Sequence, residues 1–126
     1  MANDTYRTVT PYLLISDAEA EIRFLQTAFG AKLALCERRP DGSVAHAELE
    51  IGDSKVMLGQ AVGEWKPRQA ALYLWLSDVD AVYARALHAG ATSEAAPEDK
   101  PYGHRSGAVV DPAGQTWWIA SPVRTK

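Results

Sequence analysis

His46 and Glu48 form the polar pair with the clearest chemical reading. Residues two apart on a strand point to one side. An imidazole that titrates near neutrality would then share a face with a carboxylate that can orient it. On this reading His46 is a proton shuttle and Glu48 its orienting partner; the competing reading is a structural pair on a twisted strand. Tyr102, His104 and Arg105 form a second group, in a stretch that reads as a loop before a strand. A guanidinium grips a carboxylate or phosphate through two parallel bonds, and Tyr102 and His104 can add donors. The alternative for Arg105 is an ion pair with a carboxylate of its own chain. Tyr73, Trp75 and Trp118 are strand aromatics that would form a wall for a flat organic ligand. Core packing or subunit packing would use the same rings.

The remaining reactive side chains carry less. Trp65 falls in a connector, where it can cover a ligand site or enter a subunit interface. Cys36 has no basic neighbour that would make it a nucleophile. His88 closes a helix, where it can cap carbonyls. Gly59–Gly63 lacks the Gly-Lys-Ser/Thr ending of a phosphate loop.

The elements that must position these residues come as a repeat. Thr10–Asp17 leads into Ala18–Gly30, and Ala71–Asp78 leads into Val79–Gly90. Tyr12 and Leu13 match Tyr73 and Leu74, and Ser16-Asp17 matches Ser77-Asp78. Each copy reads as strand, helix cap, helix and glycine stop, which implies two related halves of one fold. In the first half, Val9–Ile15 is strand-like, with Pro11 placing it at a sheet edge. A helix from about Asp17 to Phe29 buries Ile22, Leu25 and Phe29, with Ser16 or Asp17 as its cap and Gly30 as its left-handed stop. Lys32–Arg38, Val44–Ile51 and Ser54–Leu58 are the following strands. Alternation in the middle one sets Ala45, Ala47, Leu49 and Ile51 against Val44, His46, Glu48 and Glu50.

The second half repeats the order, with strand Leu72–Leu76, a helix from about Val79 to Ala89, and strands Ala108–Val110 and Thr116–Ala120. Tyr73 and Trp75 share one side of their strand; Leu72, Leu74 and Leu76 take the helix side. Thr92–Gly103, rich in Pro, Glu, Asp and Gly, reads as a loop with room for a short strand near its start. Neither half can cover its sheet alone, so the halves must pair within one chain or between two.

The 126 residues suit a single domain. Apolar residues make up 47%, charged residues 23%, and the formal net charge is -3, an ordinary balance for a soluble globular protein. Lys and Arg are scattered, which argues against a nucleic-acid footprint. The one cysteine permits no internal disulfide and is compatible with a reducing compartment, so a cytoplasmic location is expected. No apolar run approaches membrane-spanning length, and Met1–Thr8 lacks the apolar core of a secretion signal.

Several stretches together carry a family likeness: Thr10-Pro-Tyr-Leu, Ile22–Gly30 with Phe24 and Phe29, His46-Ala-Glu-Leu, Val56-Met-Leu, Tyr102-Gly-His-Arg-Ser-Gly, and Asp111-Pro-Ala-Gly-Gln-Thr-Trp-Trp-Ile-Ala. They span nearly the whole chain, and the closing stretch is the most specific. The sequence resembles the vicinal oxygen chelate superfamily of glyoxalases, bleomycin-resistance proteins and extradiol dioxygenases, and within it the small bacterial PhnB-like branch. The resemblance implies an α+β, glyoxalase-like fold: one domain over residues 1–126, with two βαβββ modules at about 9–58 and 71–121 forming a curved mixed sheet. It also implies a homodimer with a cup for a small organic molecule. Glyoxalase-like members place metal ligands on the first and last strand of each module. By register those positions fall here at Thr10, Leu58, Ala71 or Leu72, and Trp118, none a His or carboxylate, so no metal is expected at the usual place. The leading expectation is a binding protein that needs no cofactor. The alternative is a metal-dependent lyase, isomerase or dioxygenase with a displaced site, its ligands drawn from His46, Glu48 and His104.

Overall fold

Leu13 and Ile15 turn the inner side of the short strand β1 (Tyr12–Ile15) toward the helix that follows it. The computed structural model describes residues 6–123. That helix, α1 (Ala18–Phe29), starts where the Asp17 side chain accepts a bond from the Ala20 amide at 3.2 Å. It stops at Gly30, whose φ of 67° lets the Ala31 amide reach back to the Leu25 carbonyl at 3.2 Å. Strands β2 (Lys32–Arg38), β3 (Val44–Ile51) and β4 (Ser54–Gln60) complete the first module. Its sheet runs β1-β4-β3-β2, with β1 parallel to β4 and the other pairs antiparallel. The edge position of β1 tolerates Pro11 just before it.

The second module repeats this plan with β5 (Ala71–Trp75), α2 (Val79–His88), β6 (Thr92–Asp99), β7 (His104–Val110) and β8 (Thr116–Pro122), in the order β5-β8-β7-β6. Leu13 pairs with Leu58 and Leu74 with Ile119, so the matched leucines hold equivalent places. The result is the expected α+β arrangement of two βαβββ modules, built as two four-stranded mixed sheets that stay open.

Four local expectations change. Residues 92–99 form a full strand where a loop was read. It is an exposed edge strand with two register shifts against β7, so it can hold Pro97 and acidic residues without the alternation that marks a half-buried strand. His104 and Arg105 are consequently strand residues of β7. In β3, the register steps from Glu37–His46 to Arg38–Val44, a bulge at Ala45 that turns Val44 into the core, away from the His46 side. Asp78 matches Asp17 in sequence but not in role: its φ is 61° and its side chain makes no capping bond.

The modules meet through their helices, and one apolar core runs through both. Phe29 packs against the fully buried Trp117 with ring centroids 5.1 Å apart. Trp117 donates Nε1–H to Asp111 at 2.8 Å, and Asp111 also accepts from the Ala113 and Gln115 amides. Among the described residues no helix or second sheet packs on the outer face of either sheet.

Candidate functional site

His46 and Glu48 lie on the open face of the first sheet and Tyr73, Trp75, His104 and Trp118 on that of the second; Arg105 does not. On the first sheet, His46 and Glu48 do share a face. His46 Nε2 lies 2.9 Å from Glu48 Oε2, and the Tyr6 hydroxyl bonds the same carboxylate at 2.8 Å. Lys55 Nζ stands 3.6 Å from Glu48 Oε1 and 4.8 Å over the Tyr6 ring. Burial works against the Glu48 charge, but the bonds from His46 and Tyr6 and the Lys55 ammonium outweigh it. The carboxyl is held below its ordinary range. A carboxylate only accepts, so Nε2–H is the donor in this bond. Tyr12 stacks on the His46 ring at 5.7 Å.

On the second sheet the register Tyr73–Trp118–Ala108 sets Tyr73 and Trp118 side by side. Trp75 stands one pair further along. Tyr73, Trp75 and Trp118 are 47%, 56% and 38% exposed, a large aromatic surface for a strand layer. His104 sits among these rings, 4.7 Å from Trp75 and 5.1 Å from Tyr102. Its Nδ1 lies 2.7 Å from the Tyr73 hydroxyl. Burial and then Tyr102 push that hydroxyl's pKa up, so it keeps its proton.

Arg105 departs from the expected arrangement. It alternates with His104 on β7 and points to the helix side. There Nε and Nη2 grip Asp80 at 2.9 and 3.0 Å, and Nη1 reaches Asp99 at 3.0 Å. Both carboxylates, Asp80 first, raise its already high pKa. Its donors serve α2 and β6, so it is not aimed at the aromatic wall. His46 and Glu48 also stand on a different sheet from Tyr73, Trp75 and Trp118, and one chain does not bring them together.

The metal positions need a correction as well. Leu58 is fully buried against the helix, and its neighbours Met57 and Gly59 face the open side. Thr10 precedes β1. Leu72 faces inward, and Ala71 and Trp118 offer no donor. Among the described residues, no three His, Cys, Asp or Glu side chains converge. His46 and Glu48 on one sheet and His104 on the other do not form a ligand set within the chain. This donor set does not fit a divalent metal.

Sequence reasoning missed Tyr6, Lys55, Tyr12 and Arg39. Tyr6 reaches Glu48 across 42 residues, for which spacing gives no sign. Lys55 was recoverable: the tight β3–β4 hairpin sets it opposite Glu50, on the Glu48 side.

Two hollows accompany these faces. One of about 700 Å³ opens between the Ile51–Val56 hairpin and β5, with Phe29 and Trp117 at its base. Another of about 290 Å³ lies on the open face of the first sheet beside Tyr12, with Leu14, Arg39, Val62 and Trp65 around it.

Comparison with known proteins adds context. The family model described as Glyoxalase/Bleomycin resistance protein/Dioxygenase superfamily matches residues 7–119. An uncharacterized protein of Mycobacterium bovis is 36% identical over 98% of this chain and 89% of its own length. TioX from Micromonospora sp. ML1 superposes with a TM-score of 0.75 at 27% identity, covering 93% of this chain and 99% of that one. A glyoxalase-related enzyme from Clostridium phytofermentans superposes at 0.74 and 13% identity, covering 98% and 100%, a likeness of fold alone.

Proposed function

For a chain that belongs to the glyoxalase/bleomycin resistance protein/dioxygenase superfamily, we propose a metal-independent small-molecule-binding role, with the cup completed by a second copy. The supporting observation is the exposed wall of Tyr73, Trp75 and Trp118. Its partner face, bearing His46 and Glu48, lies on another sheet of the same chain. Setting one protomer's first sheet over its partner's second sheet covers both open faces and builds a concave site with aromatic and polar walls. The ligand is a small organic molecule with a flat or apolar body and an anionic or hydrogen-bonding edge. Stacking on such a wall adds roughly 0.5–1.5 kcal/mol beyond area burial, and ordering the ligand offsets part of it, so affinity is modest. We assign the chain to the PhnB-like branch on its Thr10-Pro-Tyr-Leu and Asp111–Ala120 stretches, and to the cytoplasm on its lone cysteine. No helix of the described residues is long and apolar enough to cross a membrane.

The test has two arms. Light scattering at micromolar concentration should give twice the 13.7 kDa chain mass; the monomer mass counts against the dimer. Tryptophan fluorescence titrations with aromatic acids, antibiotics and glutathione-like thiols should find a ligand whose affinity falls in Trp75→Ala and Trp118→Ala. A second reading, a lyase or isomerase in which His46 moves a proton, is favoured by the Glu48 bond that orients the imidazole. Turnover of a bound ligand that disappears in His46→Gln would select it.

A further inference from the structure

Arg39 differs from Arg38 and Arg105. Arg38 pairs with Glu19 and Arg105 with Asp80 and Asp99. Arg39 has no carboxylate partner among the described residues. Its guanidinium rests on neutral acceptors only: Ser43 Oγ at 3.2 Å, and the Val44 and Gln60 carbonyls at 3.4 Å each. Asp41, two residues on, turns its Oδ1 to the Ser43 amide and hydroxyl instead. Five guanidinium N–H groups are available and these three contacts leave donors over. The backbone beneath is fixed, because Arg39 and Ser43 close the β2–β3 hairpin with a 2.8 Å bond. Bonds from Ser43 first, and then the nearby Arg39 charge, hold the Asp41 carboxyl low, but that carboxylate makes no contact with the guanidinium. A half-buried, pre-positioned cation with donors to spare is a binding element for an anion.

The surroundings define what kind of anion. After β4 the Ala61 amide continues the ladder to the Ile15 carbonyl at 2.9 Å, and the chain then crosses to the outer edge of β1, where the Arg68 amide bonds the Leu14 carbonyl at 3.2 Å. Between these anchors a tight turn bonds the Trp65 amide to the Val62 carbonyl at 3.0 Å and holds both side chains over the sheet face. Trp65 is 60% exposed there. Tyr12 forms the opposite wall and is seated by Gly59: a Cβ at that glycine would lie 2.7 Å from the Tyr12 hydroxyl and from the Ala45 carbonyl. Leu14 supplies the apolar floor. This open hollow of about 290 Å³ lies just below the roughly 300–1,000 Å³ of ligand pockets, enough for one or two fused rings.

We propose that this hollow binds a small planar aromatic carboxylate, with the carboxylate on Arg39 and the ring between Tyr12 and Trp65. This rests on the small-molecule-binding reading and deepens it, moving the anion contact from Arg105 to Arg39. The site adjoins His46 through its stack on Tyr12, so a bound acid lies beside the Glu48-oriented imidazole.

Calorimetry on the full native chain with 2-naphthoate and its neutral isostere 2-naphthamide tests the charge requirement without any substitution. Naphthoate should bind at least about tenfold more tightly, the measure of a charge-assisted bond. Arg39→Gln should abolish that preference, Arg39→Lys should retain part of it, and Trp65→Ala should weaken both probes. Equal affinity for the two probes overturns the proposal, as does no naphthoate binding at millimolar concentration. Unchanged naphthoate affinity in folded Arg39→Gln overturns it too. If naphthoate binding responds to Trp118→Ala but not to Arg39 or Trp65 variants, this site is refuted while the binding reading stands. If no compound of any class binds, both fall.

Discussion

Replacing Glu21 by Gln should remove a large part of the pH dependence of stability. Glu21 lies in the first turn of α1 and is 1% exposed, with neither carboxyl oxygen bonded to a donor. Facing it is Asp111, whose oxygens already accept from two backbone amides and the Trp117 indole. Burial first, and then the neighbouring Asp111, push the Glu21 carboxyl from an ordinary 4.5 up to about 10. In this window the folded chain holds a proton that the unfolded chain releases. A raised pKa gives stability that is fully present below the unfolded value and is lost as pH rises toward the folded one. One proton corresponds to about 1.4 kcal/mol per pH unit. From pH 5 to pH 9 the native chain should lose about 5 kcal/mol through this group, a large share of the roughly 5–15 kcal/mol of a typical domain. Glu21→Gln keeps the shape and cannot ionise. Urea unfolding of both chains at pH 5, 7 and 9 should show near parity at the acid end and a growing advantage for the variant as pH rises. A stability difference that does not change across those three pH values would refute the assignment of a buried, protonated Glu21.

Other substitutions report on the remaining contacts. Gly59→Val should cost about 1–3 kcal/mol by overpacking, since its Cβ meets the Ala45 carbonyl and the Tyr12 hydroxyl; urea midpoints measure it. Trp117→Phe keeps a ring beside Phe29 but leaves one Asp111 oxygen without its donor, for a loss of about 1–3 kcal/mol by the same assay. Glu48→Gln should weaken the acid-side dependence. The depressed Glu48 carboxyl contributes stability above the ordinary carboxylate pKa that is lost as pH falls through its folded value. Comparing native and variant unfolding between pH 3 and pH 6 checks the sign.

The fold was legible because its signals are local and doubled. Asp17, the apolar stripe of α1 and Gly30 mark one helix, and the Tyr12-Leu13 and Tyr73-Leu74 match ties it to the second module. Alternation correctly placed Tyr73 and Trp75 together, and His46 with Glu48. It failed at Val44, because the bulge at Ala45 changes the period within one strand. It also failed for residues 92–99, where an edge strand has no buried side to impose a pattern. Arg105 shows a different limit. One-residue alternation with His104 decides its side, and that needed the strand to be recognised first; its partners Asp80 and Asp99 lie 25 and 6 residues away. Arg39 gave no signal at all, since what marks it is that no carboxylate contacts its guanidinium, a property of three-dimensional neighbours.

The account turns on the first sheet of one copy covering the second sheet of another. Paramagnetic broadening across protomers measures this directly. Chains carrying Cys36→Ser and His46→Cys, spin-labelled at position 46 and without ¹⁵N, are mixed with ¹⁵N-labelled native chains. Broadened indole signals of Trp75 and Trp118 in the labelled chains are the predicted result, with recovery on reduction of the spin label. Sharp Trp75 and Trp118 signals in the mixed sample, at concentrations where light scattering gives the dimer mass, would contradict it.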